Sequence, residues 1–292
     1  MNPKFPIFIP TKGRSEQRLT IKMFDRLDVP YTIFVEAQER DAYAAHVDPS
    51  RIHVLPHQNK GLTVTRNYIW DYAASLGVEY FWTFDDNIEG LYRYNTNLKI
   101  PCGDGTIMAV VEDFSQRYEN LPICGMNYFM FVSRKTPMPP YTMNTRIYSN
   151  MLIRTASPFR NVTFYNDDTD LCLRVLKAGH CTCLFNAFLI GKATTMTCEG
   201  GMTDYYEKTN KRREFAEELQ RAHPDIVTVT QKWGRWHHQV NYSKFNQQLK
   251  LKPGIVVPKG INNFGMQLQE RNSAGQWACR KQEPLAEAEG KG

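Results

Sequence analysis

No stretch of this 292-residue chain approaches the roughly 20 consecutive apolar residues that a bilayer-crossing helix needs. The opening Met1-Asn2-Pro3-Lys4-Phe5 also lacks the apolar core of a signal peptide. The chain is therefore expected to be intracellular, with no membrane partner. No two CxxC units occur, which argues against a structural zinc site. The seven cysteines are odd in number, and Cys181 and Cys183 share one face of an expected strand, so free buried thiols are anticipated. There is no P-loop, no GxGxxG, no internal repeat and no low-complexity domain. Nothing in the sequence calls for an obligate protein partner.

What is present is an ordinary globular composition, 42% hydrophobic, long enough for a sizeable core. The net charge is +6, which permits a polyanionic partner without requiring one. From Tyr205 to Gly260 there are 11 Lys and Arg against 5 Asp and Glu, so this segment accounts for the whole excess. Trp233, Trp236, His237, His238 and Tyr242 are interleaved with it, a combination that suits nucleic-acid backbone and bases. A solvated helix followed by a docked tail would have the same composition.

The densest chemistry lies at Tyr80-Phe81-Trp82-Thr83-Phe84-Asp85-Asp86-Asn87. The aromatic and β-branched run reads as a buried strand, and burying two unpaired carboxylates inside it would be too costly. The acids therefore belong at its carboxyl end, where open α/β sheets bind ligands. Adjacent carboxylates repel unless a cation joins them, and Mg²⁺ or Mn²⁺ does so through oxygen ligands shared with substrate phosphates. A plain strand-to-loop turn would also favour Asp and Asn.

The chain around this stretch alternates strand and helix. Strands are expected at 6–10, 30–35, 52–56, 123–132, 145–154 and 180–189. Helices are expected near 16–28, at 41–46, through Trp70 with Ala73, Ala74 and Leu76 buried, at 107–118, at 171–178, and at 205–222 with Phe215 and Leu219 inward. Residues 91–105 read as a loop, and Lys135 to Tyr141, with three prolines, as irregular. The alternation predicts an α/β fold with a mostly parallel sheet. Thr11-Lys12-Gly13-Arg14 follows the first strand as a basic loop suited to phosphate. Asp167, Asp168 and Asp170 crowd the start of a helix closed by Gly179, more acids than a cap needs. Lys192 to Thr203, with Gly200-Gly201, reads as a mobile loop or a plain connection. Beyond Asn272 the composition is that of a frayed tail.

In order, these elements resemble the GT-A glycosyltransferases. Asp85-Asp86-Asn87 stands in the DxD place, and Asp167-Asp168-Thr169-Asp170-Leu171 with Arg174 looks like that fold's later acidic element. The segments Phe8 to Arg14, Asn59-Lys60-Gly61-Leu62-Thr63-Val64-Thr65-Arg66-Asn67, Trp82 to Ile88 and the Gly200-Gly201 loop resemble the TET-associated glycosyltransferases, found largely in phage genomes. The resemblance runs from about Pro6 to Tyr242. It implies a GT-A-like Rossmann-type sheet flanked by helices, with a basic C-terminal helical extension. It divides the chain into a core at 1–204 (nucleotide-sugar half to about 100, acceptor half beyond), an extension at 205–270 and a tail at 271–292.

The function the resemblance implies is transfer of a sugar from a UDP-sugar to 5-hydroxymethylcytosine in DNA, in the cytoplasm of a phage-infected cell. Donor contacts would come from Pro10, Thr11, Lys12, Arg14, Glu36, Gly61, Arg66, Asn67, Asp85, Gly200 and Gly201. A divalent cation, Mn²⁺ or Mg²⁺, would sit on Asp86 and Asn87 with His238 or His237. Asp168, or else Asp167, would take the acceptor's proton, since a primary hydroxyl is a poor nucleophile at neutral pH. A protein, lipid or small-molecule acceptor, a nucleotidyltransferase and a non-catalytic DNA-binding module are the competing readings.

Overall fold

The structure is a computed structural model that describes residues 1–95, 97–136, 138–193, 211–232 and 234–256, and the short segments 269–271 and 277–279. Gly200, Gly201 and Trp233 lie outside the described residues. Contacts divide the chain into two units, Met1–Leu251 and Lys252–Gly292. In the second, the strands Gln269–Arg271 and Trp277–Cys279 form a small antiparallel pair.

The first unit is α/β. Its strands are β1 (Ile7–Pro10), β2 (Thr32–Val35), β3 (Ile52–Val54), β4 (Tyr80–Phe84), β5 (Ile88–Asn95), β6 (Leu98–Pro101), β7 (Ile123–Tyr128), β8 (Tyr141–Met143), β9 (Asn150–Arg154), β10 (Thr182–Lys192), β11 (Val227–Lys232) and β12 (Arg235–Val240). Its helices are α1 (Leu19–Arg26), α2 (Arg40–Ala44), α3 (Leu62–Ser75), α4 (Thr106–Gln116), α5 (Asp167–Lys177) and α6 (Lys211–Ala222). One large sheet runs β3-β2-β1-β4-β9-β7-β10-β5-β6, with β8 paired to β10. Its first four strands are parallel. Antiparallel β9 stands between β4 and β7, and β10 is parallel to β7. The strands β1, β2, β4, β7 and β10 therefore all end at the same sheet edge.

Every residue of β4 is buried, as its apolar run requires. Trp70 of α3 packs edge-on against Phe81, and Trp82 donates Nε1–H to buried Glu112 at 2.8 Å. In α3, Trp70 and Ala73 face the core, but Ala74 and Leu76 face solvent, against expectation. Both stand at helical spacing from the buried pair (70 to 74, 73 to 76), but the buried side of α3 is carried by Ile69, Trp70 and Ala73, and Leu76 is the cap that follows the helix. Residues 91–105 are not a loop. They contain most of the β5–β6 hairpin, turned at Asn97 in the left-handed region (φ 65°). The polar residues that suggested a loop lie on a solvent-facing edge ribbon, where hairpins tolerate them.

The extension is also more than helical. Phe215 and Leu219 of α6 face inward as expected, and β11 and β12 form an antiparallel hairpin after it. Leu219, Ile226 and Val227 pack on Leu173 of α5 in a separate apolar cluster. Cys102, Cys124, Cys172, Cys181 and Cys183 are free, and all but Cys102 are buried. No helix among the described residues is long and apolar enough to cross a membrane.

Candidate active site

The shared strand edge gathers the acids. Asp85 and Asp86 follow β4 directly, in a turn pinned by Thr20 of α1. Thr20 Oγ1 donates to the Asp85 carbonyl at 2.7 Å and accepts from the Ile88 N–H at 2.8 Å. Asp85 Oδ1 accepts from Arg66 at 2.9 Å and its Oδ2 from Lys192 at 2.8 Å. Burial opposes ionisation of Asp85, but Lys192 and Arg66 outweigh it and hold the carboxyl well below its ordinary range. Burial likewise disfavours charge on Lys192, and Asp85 more than restores it. Asp86 pairs with Arg14 and accepts from Thr11 Oγ1 at 2.8 Å. For Asp86 burial prevails, and its carboxyl is raised despite Arg14.

Lys192 reaches Asp85 because the β10–β5 register shifts between Gly191 and Lys192. A bulge of this kind re-aims one side chain at the end of a strand. The same Nζ donates to Ser149 Oγ at 2.7 Å. Nothing in the sequence marks Lys192, Thr20 or Ser149, since each joins the site only through sheet pairing or a distant turn.

Glu36 ties together the loops after β1 and β3. Its carboxylate accepts from Lys12 at 2.8 Å, from the Asn59 N–H at 2.8 Å and from Gln38 at 2.5 Å. Burial opposes its charge, and these donors together lower its pKa nonetheless. Tyr43 closes the Thr11–Arg14 loop by a 2.6 Å contact with Thr11 Oγ1. Pro10 is buried at the end of β1. Gly61 caps α3 at φ 88°, and an added Cβ would lie 2.7 Å from Phe164. Both the left-handed backbone and the close approach require glycine there. Asn67 is not part of this cradle. Its amide donates to the Asn161 carbonyl at 2.8 Å and accepts the Asn161 N–H at 3.0 Å, clasping α3 to the segment before α5.

The second acid cluster opens α5 and meets the first through Arg66. That guanidinium donates to Asp167 at 2.6 Å as well as to Asp85. Burial would lower the Arg66 pKa, but Asp167 and Asp85 raise it instead. Its buried Nε has no hydrogen-bond partner among the described residues. Asp167 is therefore committed to Arg66, and burial still raises its pKa. Asp168 is more accessible. Its Oδ1 accepts from the Thr169 N–H at 2.6 Å, and its Oδ2 has no hydrogen-bond partner among the described residues. Buried Asp170 turns away to His223 at 2.8 Å and Arg174 at 2.8 Å, tying α5 to the end of α6.

Arg146, Tyr148 and His238 all feel the charge of Asp168. Burial pushes the His238 imidazole down to about 4, with Arg146 adding to the effect. Successive strand residues point to opposite faces, so His237 and His238 on β12 cannot both enter the site. Arg146 and Asp168 both act electrostatically on His238. Among the described residues, no three His, Cys, Asp or Glu side chains are placed to hold a metal by themselves. The histidines are thus not gathered with Asp86 into a ready ligand set. The acid pair does offer hard oxygen donors, and Asn87 Oδ1 is buried without a partner. That set fits a cation that takes one or two protein oxygens and completes its shell with phosphate and water.

Acids at a strand edge thus lie within a cationic cradle and meet a second acid cluster through Arg66. The profile of the TET-associated glycosyltransferase family matches residues 5–201, and the protein belongs to that family. It is a nucleotide-sugar-dependent glycosyltransferase. No curated protein matches the chain.

Proposed function

We propose that this enzyme moves a sugar from a UDP-sugar to the hydroxymethyl group of 5-hydroxymethylcytosine in DNA. The observation that carries the reading is Arg66. It joins Asp85 of the donor-side acid pair to Asp167, beside Asp168, so donor and acceptor chemistry meet at one point. The family's association with TET enzymes supports a hydroxymethylated pyrimidine acceptor. The basic, aromatic segment from Tyr205 to Gly260 supports a DNA acceptor. Glu36, at the end of β2, is assigned to the base of a UDP donor, and Pro10, Thr11, Lys12, Arg14, Gly61, Gly200 and Gly201 are assigned to the same donor role.

The acceptor oxygen forms a bond to the anomeric carbon as the bond from that carbon to the diphosphate breaks. UDP leaves with the electron pair, and the hydroxyl proton passes to Asp168 Oδ2. Asp167 is held in its ion pair and orients Arg66. Arg14, Arg66 and Lys192 oppose the charge that develops on the leaving diphosphate. A divalent cation, Mn²⁺ or Mg²⁺, on Asp86 and Asn87 would add to that stabilisation. His238, neutral at pH 7, is assigned to the acceptor side as a hydrogen-bond partner for the hydroxyl.

The test is nucleoside mass spectrometry after incubation with UDP-sugars, Mn²⁺ and DNA carrying 5-hydroxymethylcytosine. The expected result is a hexose-sized gain that is lost with EDTA and in Asp86→Ala. UDP release without modified DNA would overturn the acceptor.

A further inference from the structure

The loop after β7 carries an apolar pair that the fold turns outward. Met130 is 80% exposed and Phe131 58% exposed, while the next residue, Val132, is 2% exposed and anchors the loop. A turn from the Phe131 N–H to the Tyr128 carbonyl, at 3.0 Å, holds the presentation. Two adjacent large apolar side chains in water are costly and mark a contact surface when they cluster at a site.

Their position ties them to the chemistry. Phe131 packs on Tyr128 at 5.2 Å and on Tyr148 at 6.2 Å between ring centroids, and those two tyrosines pack on each other at 4.3 Å. Tyr128 OH is 2.5 Å from Ser149 Oγ, which also meets Lys192. Tyr148 in turn carries the Arg146 guanidinium over its ring, 4.5 Å from the centroid. The aromatic group thus links the exposed loop to Lys192, whose Nζ donates to Tyr128 OH at 3.4 Å. Arg134 and Lys135, both exposed, follow on the same loop.

We propose that Met130 and Phe131 form a wedge that enters the DNA stack beside the target nucleotide and holds the modified base out toward Asp168. Arg134 and Lys135 hold the flanking phosphates. This rests on the DNA-acceptor reading above. Apolar side chains that enter a base step offset the loss of stacking, and a base taken from a duplex needs such a replacement. Exposed cations on the same loop complement the phosphate backbone.

The experiment compares transfer rates of wild type and the double variant M130A/F131A on three acceptors. These are a matched duplex carrying 5-hydroxymethylcytosine, the same duplex mispaired at that base, and the single strand. The expected result is a loss of roughly five- to a hundredfold on the matched duplex, since one base stack has about that worth. The loss should shrink on the mispaired duplex and fall within about twofold of wild type on the single strand. Equal losses on all three acceptors, or no loss on the matched duplex, would overturn the wedge while leaving the DNA acceptor intact. No transfer by wild type to any of the three would overturn the acceptor reading, and the wedge with it.

Discussion

Asp167 and Asp168 are adjacent in sequence and equivalent in chemistry, yet their surroundings give them different work. Asp167 is closed into an ion pair with Arg66, while half-buried Asp168 forms no ion pair among the described residues. Asp168→Asn should therefore lower transfer by roughly 10²–10⁴-fold. UDP binding, followed by calorimetry, should stay near wild type. Near-normal transfer would remove Asp168 from its role. Arg66→Ala acts differently, because it takes a cation from buried Asp167 and half-buried Asp85 at once. It should cost about 3–5 kcal/mol of stability in urea denaturation, well beyond an ordinary surface substitution. Neither distinction is visible in the string Asp167-Asp168-Thr169-Asp170. The sequence marks an excess of acid there, and only the position of Arg66 sorts the three carboxylates. Asn67 is the complementary case, sharing a motif with Arg66 while its amide serves the fold.

At the scale of elements, β4 was legible because burial leaves an unbroken apolar run and charge can follow only where the strand ends. The β5–β6 hairpin was not, because an edge ribbon in water has no apolar periodicity to read. Gly125 in β7 shows what strand packing demands. A Cβ there would lie 2.3 Å from the Asn150 carbonyl oxygen on β9 and 2.3 Å from Ile147. The first is backbone and cannot step aside, so Gly125→Ala should cost about 1–3 kcal/mol by strain. Its thermal unfolding midpoint should fall accordingly, and an unchanged midpoint would mean that β9 can shift. The β12 hairpin contributes a pH dependence. The unfolded His238 imidazole titrates near 6.5 and the folded one near 4. Between those values the unfolded chain binds a proton that the folded chain does not, so stability rises with pH across that window. His238→Gln should flatten this part of the curve in denaturation series between pH 4.5 and 7.

For the whole molecule, the telling quantity is how charge is distributed. The +6 excess is confined to the segment from Tyr205 to Gly260. Within it, α6 and the β11–β12 hairpin join the first unit through the apolar cluster on α5. A DNA acceptor held there should be released steeply by salt. Three phosphate contacts alone imply a loss of roughly fortyfold between 50 and 200 mM salt. Fluorescence anisotropy with labelled duplex would measure it, and affinity independent of salt would count against phosphate contacts.

The sequence by itself determined the α/β class, the strand that ends in Asp85-Asp86-Asn87, the basic loop after β1 and the acids at the start of α5. Each is written in a local pattern, because burial, helix ends and turns act over a few residues. The tertiary structure alone decided which side chains meet. Lys192 reaches Asp85 through a bulge 107 residues away, Arg66 spans two acid clusters, and Asp170 turns to His223 instead of the site. Such pairings are set by sheet order and strand register, and no local periodicity encodes them.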